Sequence, residues 1–86
     1  MSYRVIVLPR AEKDLRKLPT PMIARVKAAV LGLRDEPRPV GVRKLVNVTP
    51  ETWRLRVGDW RIIYRIGDQV QVVTVTNVAH RREVYR

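Results

Sequence analysis

At 86 residues, with 18 Lys and Arg against 8 Asp and Glu, the chain carries a formal net charge of +10 and has no cysteine. That length fits a single domain over residues 1–86 burying roughly 60% of its unfolded surface, and it excludes a disulfide framework, a cysteine zinc cluster and a membrane-spanning helix. With no signal peptide the expected location is cytoplasmic, and the cationic excess calls for a polyanionic partner, either nucleic acid or an acidic protein segment; a membrane surface fits less well.

Tyr3 to Leu8 is a short apolar, β-branched run ended by Pro9, the pattern of a buried strand. Pro9 then suits a helix start. Ala11, Leu15 and Leu18 repeat at helical spacing before Pro19, and Arg10, Lys13, Arg16 and Lys17 lie largely outside. Thr20 and Pro21 open a second helix with Ile23, Val26, Val30 and Leu33 as its apolar stripe, Arg25, Lys27 and Arg34 on its wet side and Pro37 as its stop. Helices joined this tightly pack as an antiparallel hairpin. After the turn Arg38-Pro39-Val40-Gly41, Val42 to Val48 predicts a brief edge strand.

Three strands then follow as a meander, turned at Gly58-Asp59 and Gly67-Asp68, where glycine accepts positive φ, and ending with Gln69 to Val78. The expected fold is α+β: an antiparallel sheet of four to five strands with the N-terminal helical hairpin on one face, in the order β-α-α-β-β-β. Within the first hairpin, Trp53, Leu55, Val57, Trp60, Ile62 and Tyr64 alternate onto the core face, while Arg54, Arg56, Arg61 and Arg65 take the other. Trp53 and Trp60 are in phase with that core and read as core. A symmetric hairpin sets Arg56 opposite Arg61, where like charges cost stability. An anion-binding site explains such an arrangement; a merely soluble sheet face does not.

Arginine forks match phosphate oxygens bidentately, so several on a rigid sheet suit a phosphodiester. Arg43 and Lys44 sit at the mouth of this face, and the tail Ala79-His80-Arg81-Arg82-Glu83-Val84-Tyr85 adds the sole histidine, two arginines and a tyrosine. No group of carboxylates with His or Cys is suited to hold a catalytic metal, so the expected chemistry uses neither metal nor cofactor and stabilises the pentacovalent charge with cations. The accessible nucleophile is then the 2′-OH of RNA, giving a 2′,3′-cyclic phosphate and a 5′-OH.

Tyr3 to Leu8, Ala11-x-Lys13-Asp14-Leu15-x-Lys17-Leu18, Leu33-x-x-x-Pro37, Arg43-Lys44-Leu45, Arg54-Leu55-Arg56-Val57-Gly58-Asp59-Trp60-Arg61-Ile62-Ile63-Tyr64 and His80-Arg81-x-x-Val84-Tyr85 resemble the RelE/ParE toxin superfamily, more closely its RelE-like mRNA interferase branch. The resemblance spans nearly the whole chain. It implies the toxin of a type II toxin–antitoxin system, a ribosome-dependent mRNA endoribonuclease neutralised by a cognate antitoxin, with a heterotetrameric complex as one arrangement. Its alternatives are a ParE-like poison of DNA gyrase and a catalytically inert RNA-binding module.

Carried over by position, the resemblance makes Arg54 and Arg56 the basic pair before the turn, Arg61 the phosphate-binding arginine and Arg81 the tail cation. Tyr85 becomes the tyrosine that stacks on or activates substrate. RNA contacts fall to Arg43, Lys44, Arg65 and Arg82. Where the RelE pattern has lysines, this chain has Arg54 and Arg56, which stay protonated and cannot act as a base. The arginine expected shortly after Lys44-Leu45 is also missing, since Val46 and Asn47 stand there. The general base is then His80 or Tyr85, with His80 favoured for its ordinary pKa near ~6.5.

Overall fold

The computed structural model describes residues 2–84, with side chains to residue 82. In chain order the elements are β1 (Arg4–Val7), α1 (Pro9–Arg16), α2 (Thr20–Gly32), β2 (Arg43–Lys44), β3 (Trp53–Val57), β4 (Trp60–Gly67), β5 (Val72–His80) and a four-residue helix α3 (Arg81–Val84). The strands form one sheet in the order β1-β5-β4-β3-β2. This is the α+β plan read from the sequence, with one correction: the sheet is mixed. From β2 to β5 neighbouring strands are antiparallel, but β1 runs parallel to β5, with Arg4 beside Val72 and Val7 beside Val75. Only a tight turn enforces antiparallel pairing between neighbours. No turn joins β1 to β5, and the helical pair returns the chain to the far edge before β2 starts.

Local detail differs in four further places. Pro19, extended at φ −54° and ψ 140°, is the N-cap of α2 and its carbonyl accepts the Met22 amide at 2.8 Å, so Thr20 is the first helical residue. The edge strand shrinks to Arg43–Lys44 because Asn47, at φ 60°, turns the chain away. Asp68 to Gln71 form a four-residue turn whose positive φ, 55°, falls on Gln71 rather than on Gly67. The last strand consequently begins at Val72 and reaches His80.

The helices cover the predicted face. Val26, Val30 and Leu33 of α2 and its end, with Ala11 and Leu18 from the α1 segment, pack on Ile62, Tyr64, Val73, Val75 and Val78, while Trp53, Leu55, Val57 and Trp60 border this core. Each such aliphatic side chain contributes roughly 1.5–3 kcal/mol by leaving water. Tyr64, fully buried, donates its hydroxyl to the Pro37 carbonyl at 2.8 Å, which ties the chain beyond α2 to the sheet. Removal from water pushes the Tyr64 phenol up to about 12.

A β-bulge on β5 sets much of the geometry. Ile63 pairs with Asn77 and Tyr64 with Val75, so Thr76 is an extra residue, and its Oγ1 reaches the Ile63 carbonyl at 3.2 Å. Beyond Val75 no β1 residue borders β5. There α1 takes over the edge: Asp14 Oδ2 accepts the Val78 amide at 2.9 Å, replacing the carbonyl that a longer β1 would have offered. At the opposite end of the sheet Arg38 donates two hydrogen bonds to Asp68, at 3.1 and 2.9 Å, and its guanidinium stacks 5.1 Å above the Trp53 ring. The Tyr3 hydroxyl donates to the same carboxylate at 2.8 Å. Arg38 first, then Tyr3, hold the Asp68 carboxyl below its ordinary value.

Asp14→Ala should cost about 1–3 kcal/mol in urea denaturation, because the Val78 amide loses a charged acceptor in a part-buried place. The pH dependence of stability has two further signatures. A depressed Asp68 contributes above the ordinary carboxylate range and loses that contribution as pH falls, so Asp68→Asn should flatten the acid limb. A raised Tyr64 contributes fully below pH 10.0 and loses its contribution as pH rises toward about 12, so Tyr64→Phe should flatten the alkaline limb.

Candidate nucleic-acid interface

The hairpin between β3 and β4 turns on two residues, Gly58 and Asp59, with φ +60° at Gly58 alone, the pattern of a type II′ turn. Its register sets Arg56 directly across from Arg61 and Arg54 across from Ile63, and Arg43 of β2 lies across from Arg54. Strand alternation therefore carries Arg43, Arg54, Arg56 and Arg61 to the face away from the helices. These four arginines and Gly41 line a cleft of about 450 Å³.

The opposition expected between Arg56 and Arg61 is present, and the backbone tempers it. Arg56 Nε donates to the Gly58 carbonyl at 3.1 Å, and Arg61 Nη1 donates to the same oxygen at 3.3 Å and to the Trp60 carbonyl at 3.2 Å. One carbonyl dipole thus lies between two cations. Arg61 is only 5% exposed, and these hydrogen bonds help to make a buried charge tolerable. Partial burial also strengthens what the cleft offers an anion: two unit charges 4 Å apart attract by about 1 kcal/mol in bulk water and about 4 kcal/mol at an effective dielectric near 20.

The remaining residues singled out in the sequence divide. Arg65 shares the arginine face but lies further along β4, is exposed, and does not line the cleft. Lys44 stands across from Trp53, on the other face, and its Nζ pairs with Glu51 at 3.0 Å, so it is not at the mouth of the arginine face. Arg81 is brought to the hairpin: its amide donates to the Asp59 carbonyl at 2.8 Å and its Nε stands 3.9 Å from Asp59 Oδ1. Arg82 is exposed and its amide donates to His80 Nδ1 at 3.3 Å. Tyr85 lies outside the described residues.

His80 is not brought to the cleft. It pairs with Trp60, whose neighbours are the core, and meets that indole edge-on with ring centres 5.1 Å apart and planes at 87°. The bulge is the reason. Regular alternation from Val73 and Val75 would put Ala79 on the core face and His80 on the open one; the extra Thr76 reverses the phase, so Val78 and His80 face the helices and Ala79 lies across from Arg61.

Two residues were not singled out for the site. Gly41, at φ +90°, lines the cleft, and the sequence read it only as part of a turn. Arg25 was assigned to the wet side of α2, yet its Nη1 stands 3.8 Å from where a Cβ on Gly58 would lie. Nothing in the local sequence signals that Arg25 would reach the hairpin turn.

The helix-backed mixed sheet that carries this cleft is the fold of a known class of small toxin. The family profile described as the ParE toxin of type II toxin–antitoxin systems matches residues 5–85. Toxin RelG of Mycobacterium tuberculosis is 37% identical over 87 residues, covering 100% of this chain and 99% of RelG. Among solved structures, the RelE–RelB complex of Pyrococcus horikoshii gives a TM-score of 0.82 at 29% identity, covering 94% of this chain and 97% of that one. A toxin–antitoxin complex of M. tuberculosis gives 0.82 at 32% identity, covering 93% and 99%. The chain belongs to the ParE toxin family, within the RelE/ParE superfamily of type II toxins.

Arg56→Ala and Arg61→Ala should separate in thermal unfolding. Arg56 is exposed and its removal relieves repulsion, so its variant should stay within about 0.5 kcal/mol of the parent. Arg61→Ala empties a buried position and strips two carbonyls of a donor, which should cost about 1–3 kcal/mol.

Proposed function

We propose that this toxin is a ribosome-dependent, metal-independent mRNA endoribonuclease. The observation that carries the reading is the half-buried cleft in which Arg43, Arg54, Arg56 and Arg61 converge. A phosphodiester is the ligand whose charge and shape fit several forks at once. In the proposed reaction the 2′-OH of the nucleotide attacks the adjacent phosphorus, the bond to the 5′ oxygen breaks, and the products are a 2′,3′-cyclic phosphate and a 5′-OH. One proton leaves the 2′-OH for a base and one reaches the departing 5′ oxygen. The arginines stabilise the extra negative charge of the pentacovalent transition state, with Arg61 and Arg81 assigned to it and Arg54 and Arg56 holding the flanking backbone.

Guanidinium groups accept no proton at neutral pH, so the base is none of the four cleft arginines. His80, edge-on to Trp60 on the opposite face, is poorly disposed for that role. The reading therefore assigns proton acceptance to Tyr85, a role that requires its phenol to titrate below the ordinary value of ~10. The partner that restrains the toxin is a cognate antitoxin, as in the relatives solved as toxin–antitoxin complexes. An acidic segment fits the arginine face. A second surface suits an amphipathic one: the groove of about 780 Å³ floored by Val7, Leu15, Ile23, Val30 and the exposed Leu31, with Arg16 and Lys27 among its lining.

A gyrase poison is the second reading, favoured by the family profile that matches the chain. Mapping RNA 5′ ends on translating ribosomes after induction decides between them: new 5′-OH ends within codons support the nuclease, whereas DNA breaks with intact mRNA support the gyrase poison. In the nuclease, Tyr85→Phe should lower cleavage by about 10²-fold or more, as expected for a lost general base, and His80→Ala should change it by less than about threefold. The reverse order would restore His80 as the base.

A further inference from the structure

The two peptide groups of the hairpin turn hold different parts of the cationic site. The Gly58 carbonyl receives Arg56 and Arg61 from the cleft, and the next carbonyl, that of Asp59, receives the Arg81 amide at 2.8 Å. The Asp59 side chain adds a second hold on the same residue, 3.9 Å from Oδ1 to Arg81 Nε. Both side chains are more than half exposed, at 58% and 54%, so the ion pair adds little to global stability. Its influence is local. A four-residue helix such as α3 is too short to hold itself, and what anchors its first turn decides where Arg81 stands. The Asp59 carboxylate also lies outside the cleft lining, so it orders the tail without occupying a place among the cleft arginines.

We infer that Asp59 is a positioning residue, fixing Arg81 beside the arginine cleft so that tail and cleft act on the same phosphodiester. The inference rests on the endoribonuclease reading for its catalytic consequence, but not for the anchoring itself. Because Arg81 is assigned to the transition state, a displaced Arg81 lowers kcat more than it weakens binding.

The test is Asp59→Asn, which keeps the main-chain acceptor and the shape and removes the charge. On programmed ribosomes kcat should fall about tenfold, the consequence of a slightly misplaced transition-state group, while KM stays within about twofold. In an Arg81→Ala background the same substitution should cause no further loss, and Asp59→Glu should recover part of the rate. Independently of cleavage, amide hydrogen exchange at Arg81 should quicken about fivefold in Asp59→Asn, with the β4 and β5 amides unchanged. An equal loss of kcat with and without Arg81, or an Arg81 amide protected as in the parent, overturns the inference. If the parent protein cleaves no RNA, the endoribonuclease reading fails and the exchange measurement alone judges Asp59: faster exchange at Arg81 supports the anchor, and unchanged exchange refutes it.

Discussion

Two arginines facing each other across neighbouring strands, one almost sealed from water, are the constraint to which the rest of this molecule answers. Arg56 and Arg61 repel, yet the β3–β4 register leaves them no separate places. Among the described residues, a carbonyl tempers the pair. The Gly58 oxygen takes a hydrogen bond from each, and a peptide dipole lowers their mutual cost without cancelling their charge. A carboxylate in that position would neutralise the pair and leave less for a phosphate. The glycine matters in its own right, since at φ +60° an L side chain would be strained, and its Cβ would stand 3.3 Å from Met22 Cε.

A site of this kind needs a stiff support, and the supports are distributed over both ends of the sheet. Near the site, Asp14 closes the β5 edge that β1 leaves open. At the far end, Arg38, Asp68 and Tyr3 join the chain after α2, the β4–β5 turn and the N-terminal segment. Between them the buried Tyr64 hydroxyl holds the Pro37 carbonyl. Each of these contacts links segments distant in sequence, so the sheet is braced against shear without any disulfide.

The two helices, the alternation that separates Trp53, Leu55 and Ile62 from Arg54, Arg56 and Arg61, and the hairpin turn at Gly58-Asp59 were all legible, because each is a local pattern. What was not legible depends on distant partners. The only local trace of the extra residue in Val72–His80 is the polar pair Thr76-Asn77, across which the apolar phase passes from Val73 and Val75 to Val78; read as a regular strand the run hides it, and a one-residue slip is enough to move His80 to the opposite face. Lys44 fell on the wrong side for a related reason: in a two-residue strand only the partner's register reveals orientation. The parallel direction of β1 had no local signal either. Charge alone could not distinguish Arg25, beside the hairpin turn, from the exposed Lys27 of the same helix.

The parallel union of β1 with β5 has a temporal side. Arg4 waits for Val72, its neighbour in the finished sheet, which is made long after it. Closing so long a loop is slow, and until it closes Val5 and Val7 have no strand to lie against. The β3–β4 hairpin, by contrast, pairs neighbours in sequence and can form while the sheet still lacks an edge. Until β1 docks, the β5 edge is open to pairing with any other extended strand.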